Sequence, residues 1–202
     1  MFEDITLVDV KILSLYTKDY ASKYSMREIT QKLHLNYSHA FKRIKQLITQ
    51  KILLENRQGH VNVISLNIQS LHAIQLISFV EQQQIRNSSL ELITQKVIQI
   101  DPSACIGLFG SRVSGKATKE SDWDVFILTQ NTKEMNKIMS FFPHINNIQI
   151  QVFSLGEFRD SLLSSEETVV KHIIRNKQII YNPYPFYNLI RAWEMIKYAP
   201  TQ

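Results

Sequence analysis

Two short apolar runs, Ala104–Phe109 and Val125–Leu128, bracket a segment that opens with Gly110-Ser111 and closes with Asp122-Trp123-Asp124. Apolar runs of this length, bounded by polar residues, read as strands covered on both faces. A glycine directly after a strand lets the backbone turn sharply and approach a ligand closely. Ser111, together with the free N–H groups of a helix that follows, offers donors to anionic oxygens. Asp122 and Asp124, two apart on a strand, project to one face. Carboxylates so placed repel each other unless a cation sits between them. Mg²⁺ takes hard oxygen ligands and also bridges to a triphosphate, which makes it the expected cation.

The full run is Gly110-Ser-Arg-Val-Ser-Gly115-Lys-Ala117-Thr-Lys-Glu-Ser121-Asp122-Trp-Asp124. It resembles the signature of the minimal nucleotidyltransferases of the DNA polymerase β superfamily, G-S-R-x-x-G-x-A-x-x-x-S-D-x-D. The agreement falls at Gly110, Ser111, Arg112, Gly115, Ala117, Ser121, Asp122 and Asp124. The resemblance implies a small α/β domain with a mixed sheet that moves a nucleotidyl group from a nucleoside triphosphate to a hydroxyl acceptor. Gly110, Ser111 and Arg112 would bind the nucleotide, and Asp122 and Asp124 would be the catalytic carboxylates that ligate Mg²⁺. Arg112 would either neutralise phosphate charge or pair with Glu120. Trp123 alternates away from the two acids and reads as core.

The chain departs from the pattern at one place. Active relatives carry a third acid on a neighbouring strand. Here that strand is expected at Asn147–Phe153, with Ile148, Ile150 and Val152 inward and Gln149 and Gln151 at the third-acid position. Glutamine offers a neutral oxygen but is no base at neutral pH. The next acids, Glu157 and Asp160, fall in a helix capped by Ser154-Leu-Gly-Glu157. Three outcomes follow: transfer supported by two aspartates, a carboxylate such as Glu166 or Glu167 folding in, or nucleotide binding without turnover.

Upstream, Val8, Ile12, Leu15 and Tyr16 recur at helical spacing, and Ser25-Met-Arg-Glu28 is a capping box opening a second helix. After the turn at His34–Asn36, a third helix sets Ala40, Phe41, Ile44, Leu47 and Ile48 in an apolar stripe. Ser38, His39, Lys42, Arg43, Lys45 and Gln46 occupy its other side. Ile52–Leu54, a turn at Asn56–Gly59, and the alternating Val61–Leu66 then predict a hairpin. This order resembles the winged helix-turn-helix domains of prokaryotic transcription regulators. It implies double-stranded DNA as partner, with the third helix in the major groove and Arg57 of the wing on the backbone.

Charge is distributed to match. Residues 1–70 hold ten Lys/Arg against six Asp/Glu, residues 71–202 thirteen against twelve, and no acid lies between Glu28 and Glu55. With 44% apolar and 20% charged residues, the composition is that of a globular protein. No apolar run approaches the roughly 20 residues needed to span a bilayer. The opening Met1–Asp9 lacks a signal-peptide pattern. The single cysteine, Cys105, reads as a small core residue and fits a reducing cytoplasm.

The expected architecture is α+β, with a winged helix-turn-helix over 1–69, a linker helix over 70–86 and a nucleotidyltransferase domain over 87–202. Two alternatives stand beside the enzyme. One is a DNA-binding regulator whose degenerate transferase domain senses nucleotide. The other is a partner-binding pair of modules, as a homodimer or with a toxin–antitoxin partner protein.

Overall fold

The structure, a computed structural model, describes residues 5–82, 88–140 and 147–197. Arg86 and Asn87 of the expected linker boundary lie outside the described residues, as do residues 1–4 and 198–202.

The N-terminal part runs α1 (Leu7–Ser14), β1 (Lys23–Ser25), α2 (Met26–Leu33), α3 (Tyr37–Thr49), β2 (Leu53–Gln58) and β3 (Val61–Leu66). Capping boxes Thr6/Asp9 and Ser25/Glu28 start α1 and α2, and Asn36 caps α3 by accepting from the His39 N–H. Three details differ from expectation. A short strand, β1, pairs antiparallel with β3, giving a three-stranded sheet in the order β1-β3-β2. The hairpin turn is tighter than expected, because β2 runs through Asn56–Gln58 and pairs Gln58 with Val61. Gly59, at φ +60°, supplies the left-handed conformation that a two-residue loop requires. Finally, Phe41 is not in the buried stripe: Ala40, Ile44 and Leu47 fill the core, whereas Phe41 is 42% exposed.

Helix α4 (Leu71–Gln82), expected as a connector, buries Ala73, Ile74, Leu76, Ile77, Val80 and Glu81. It is followed by α5 (Ser88–Ile100), β4 (Cys105–Phe109), α6 (Gly110–Ser114), β5 (Trp123–Leu128), α7 (Thr132–Met139) and β6 (Ile148–Phe153). The chain ends in α8 (Leu155–Leu163), α9 (Val169–Arg175), β7 (Gln178–Tyr181) and α10 (Tyr184–Lys197). The second sheet has the order β6-β5-β4-β7; β5 and β6 are parallel and the other pairs antiparallel. It is therefore mixed. Alternation along its strands splits the core in two. Ile106, Leu108, Val125, Ile127 and Ile148 pack with Leu90, Ile93 and Val97 of α5 and Met135 and Met139 of α7. Cys105, Phe109, Phe126 and Leu128 belong instead to a cluster that continues through α4, α8, α9 and α10 into α1, α2 and α3. The two halves of the chain thus share one apolar interior. No helix among the described residues is long and apolar enough to cross a membrane.

A buried charge ties this interior together. The Lys177 ammonium, fully buried, donates to both Glu81 oxygens (2.9 and 3.1 Å), to the Tyr187 hydroxyl (3.0 Å) and to the Thr17 carbonyl. Tyr187 in turn donates to Glu81, and so does the Ile179 N–H at 2.8 Å. Burial pulls the lysine below its ordinary pKa, while the adjacent Glu81 charge opposes this. Removing one partner leaves an uncompensated buried charge, which costs about 3–5 kcal/mol. Lys177→Met should lose roughly that much in urea denaturation, and adding Glu81→Gln should recover part of it. Additive losses from the two substitutions would show that the pair is not coupled.

Candidate active site

Strand β4 is buried at every position and delivers Gly110 to the end of a central strand of the second sheet. The antiparallel register sets Phe109 opposite Asp124, so the glycine lies beside the Asp124 side chain. At Gly110 φ is +76°, and a Cβ there would overlap the Asp124 carboxylate. Only glycine combines that backbone conformation with that approach. The following helix, α6, is a single turn and a half ending at Gly115 (φ +78°). Ser111 is half-buried in its first turn.

Arg112 packs on the loop that leads into β5. Its Nε donates to the Asp122 carbonyl (3.2 Å), its Nη2 to the Ser121 carbonyl, and its guanidinium stacks over the Trp123 ring at 4.5 Å. It therefore pins the loop that leads into β5, and does not pair with Glu120. Ser121 shapes the same loop, accepting from the Thr118 N–H at 2.8 Å. Trp123 points to the sheet face away from the acids and packs on the smaller core.

Asp122 and Asp124 stand side by side at the mouth of β5. Burial first, and the Asp122 charge second, push the Asp124 carboxyl above its ordinary pKa. Among the described residues neither carboxylate forms an ion pair with a lysine or arginine. On the parallel neighbour β6, Gln149 is in register with Asp124, and its amide donates to Asp122 Oδ2 at 2.7 Å. Gln151 lies further along β6, in register with Phe126. The other candidate acids are occupied elsewhere. Glu157 closes the Ser154 cap, Asp160 pairs with Arg159, and Glu167 pairs with Arg175. The Glu166 N–H turns back to the Ser164 hydroxyl. Among the described residues, no third Asp, Glu, His or Cys joins the pair. What the site offers is two hard anionic donors beside a bare glycine backbone and a serine hydroxyl, which fits a divalent cation carrying phosphate oxygens. The neutral Gln149 leaves it one carboxylate short of a three-acid site.

The residues expected on DNA lie in two groups. Ser38, His39, Lys42, Gln46 and Arg57 are exposed. Arg43 turns inward instead, its Nε donating at 3.0 Å to the fully buried Asp9 of α1, and its Nη1 to Gln46 at 2.6 Å. Lys45 pairs with Glu55 at 2.6 Å. Sequence reasoning missed Tyr37 and Phe41, which stack on each other on the outside of α3 with centroids 6.3 Å apart. Their four-residue spacing, beside the Ala40–Ile44–Leu47 stripe, was the signal for it.

The raised pKa of Asp124 has a consequence for stability. A carboxyl that ionises less readily folded than unfolded stabilises the fold below its unfolded pKa and loses that contribution as pH rises through its folded pKa. Asp124→Asn should therefore melt above wild type at pH 7 in metal-free buffer. The two curves should converge below about pH 3, where aspartate is protonated in either state. A wild type at least as stable at pH 7 would contradict the strain ascribed to this pair.

Comparison with known proteins covers part of the chain. No curated protein matches. One solved structure, described as "Crystal structure of the toxin-antitoxin with AMP-PNP", aligns at 19% identity over 54% of this chain and 86% of its own, with a TM-score of 0.34. Residues 91–184, which hold β4 to β7 and both aspartates, match the family model described as "Polymerase beta, Nucleotidyltransferase".

Proposed function

We propose that the protein is a nucleotidyltransferase that uses Mg²⁺ and a nucleoside triphosphate to modify a hydroxyl acceptor, and that its N-terminal part is a winged helix-turn-helix that binds duplex DNA. The observation that carries the enzymatic reading is the pair Asp122 and Asp124, unneutralised by any described cation and packed against the Gly110 turn. In this reading Asp122 and Asp124 hold the cation. The Gly110 backbone and the Ser111 hydroxyl meet the phosphate oxygens, and Arg112 keeps the loop before β5 in place. A bound Mg²⁺ would supply charge neutralisation for the triphosphate and the leaving group. The DNA reading rests on the order α1, α2, α3, β2, β3 and on the basic, acid-free stretch around α3.

Incubation with labelled triphosphates, Mg²⁺ and cell extract tests the enzyme. Wild type should transfer label, and Asp122→Asn/Asp124→Asn should lose it by at least ~100-fold, since several kcal/mol of charge stabilisation would go with the cation. Absence of both labelling and calorimetric uptake of magnesium–ATP would sink the proposal.

The Gln149 amide on Asp122 favours a second reading, in which the domain senses nucleotide without turning it over. Glutamine takes no proton from an attacking hydroxyl, and its N–H holds one oxygen of a carboxylate that would otherwise face the cation. Under this reading wild type takes up magnesium–ATP but labels nothing, and Gln149→Asp gains transfer. Labelling by wild type that falls on Gln149→Asp would reject it.

A further inference from the structure

We propose that α3 reads thymine-bearing edges of duplex DNA through Tyr37 and Phe41; the inference rests on the DNA-binding reading above and names what that surface selects. Ala40, Ile44 and Leu47 commit one side of α3 to the core. The chain nevertheless places two further large apolar rings on the outside, 54% and 42% exposed. The rings are stacked with planes 26° apart, so they form one rigid ridge along the first turn and a half of the helix. Lys45 closes the ridge at its far end, with its ammonium 5.6 Å from the Phe41 centroid.

Charge decides the occupant. No Asp or Glu occurs between Glu28 and Glu55, while Ser38, His39 and Lys42 lie exposed beside the ridge. An apolar ridge flanked by cations and donors complements a surface with apolar groups set between anionic walls. The major groove of DNA has that form: it admits a helix, its walls are phosphates, and its apolar feature is the thymine C5-methyl. The N-terminal residues of a groove-bound helix are those that reach base edges, and Tyr37 and Phe41 lie there. The two basic residues expected to read bases contribute less. Arg43 is held by Asp9 and Lys45 by Glu55, so α3 is left with apolar contact and the phosphate-facing Lys42.

The test uses the full chain. A duplex selected from a random pool is compared with the same duplex carrying deoxyuridine for thymidine, which removes only the methyl. Wild type should bind the deoxyuridine form roughly fourfold more weakly per contacted thymine, the equivalent of ~0.8 kcal/mol for one buried methyl. Phe41→Ala and Tyr37→Ala, both at exposed positions and checked by thermal melting, should bind the two forms nearly alike. Lys42→Ala should keep the discrimination while flattening the salt dependence. Equal binding of both duplexes by wild type, or discrimination that survives both aromatic substitutions, overturns the thymine reading alone. Tighter binding to the single strand also overturns it, since the rings would then be stacking on bases. No duplex bound at any salt concentration overturns it together with the DNA reading.

Discussion

A lysine ammonium removed from water has to be surrounded by acceptors, and Lys177 obtains them from three other segments of the chain. The Thr17 carbonyl comes from the segment after α1, Glu81 from α4 and Tyr187 from α10, while the lysine itself leads into β7. Displacing any one of these elements would take a hydrogen bond or the counter-charge from the buried pair, so this contact constrains their relative positions. The constraint reaches the active site through one register. Gln178, next to Lys177, pairs with Leu108, and two residues beyond Leu108 is Gly110. The turn that faces the aspartates is thereby anchored to the segment that follows α1. The larger of the two apolar clusters crosses the boundary between the two expected domains, because α4 and the aromatic residues Phe126, Phe158, Phe186 and Tyr187 belong to the same cluster as Ile12 and Ile44.

Against that stable frame, the aspartate pair is an arrangement that lowers stability. Burial raises the Asp124 pKa and Asp122 raises it further, so the folded chain opposes the ionisation of two acids that one strand sets side by side. Gln149 eases the strain by donating to Asp122, but an amide can ease it only as a dipole. A full carboxylate in its place would deepen the repulsion and raise the demand for a cation. The amide that eases the repulsion would also weaken a grip on metal, and the enzyme and sensor readings differ in which of these effects prevails.

What could be read from the sequence, and what could not, divides by the distance over which an interaction acts. The strands around Gly110, the acids of Asp122-Trp-Asp124, the capping boxes and the alternation of β6 are local patterns with a period, and they are legible. Strand β1 is three residues long and exists because β3 is there to pair with it. The depth of α4 is hidden in the same way: its apolar residues are plain, but whether they face a partner on one side or all round depends on helices distant in sequence. That β6 carries Gln149 and no acid is legible. The hydrogen bond from Gln149 to Asp122 is not, since the parallel register between β5 and β6 is set by their packing and not by a turn.

Helix α3 shows the same division at the scale of one side chain. Arginine on the polar side of a basic helix invites a nucleic-acid reading, yet Arg43 is held by Asp9, which lies two helices earlier and is itself bound by the Thr6 cap. Asp9 is buried and would be expensive without a cation, so the arginine is first of all a structural counter-ion. Phe41, by contrast, has the character of a core residue, yet it is rotated about 100° from Ala40 on the helical wheel. Hydrophobic and basic residues have thus exchanged the roles their types suggest. The arginine holds the interior and the aromatic ring meets the solvent, so the chemistry α3 presents to a partner is more apolar than its sequence implies.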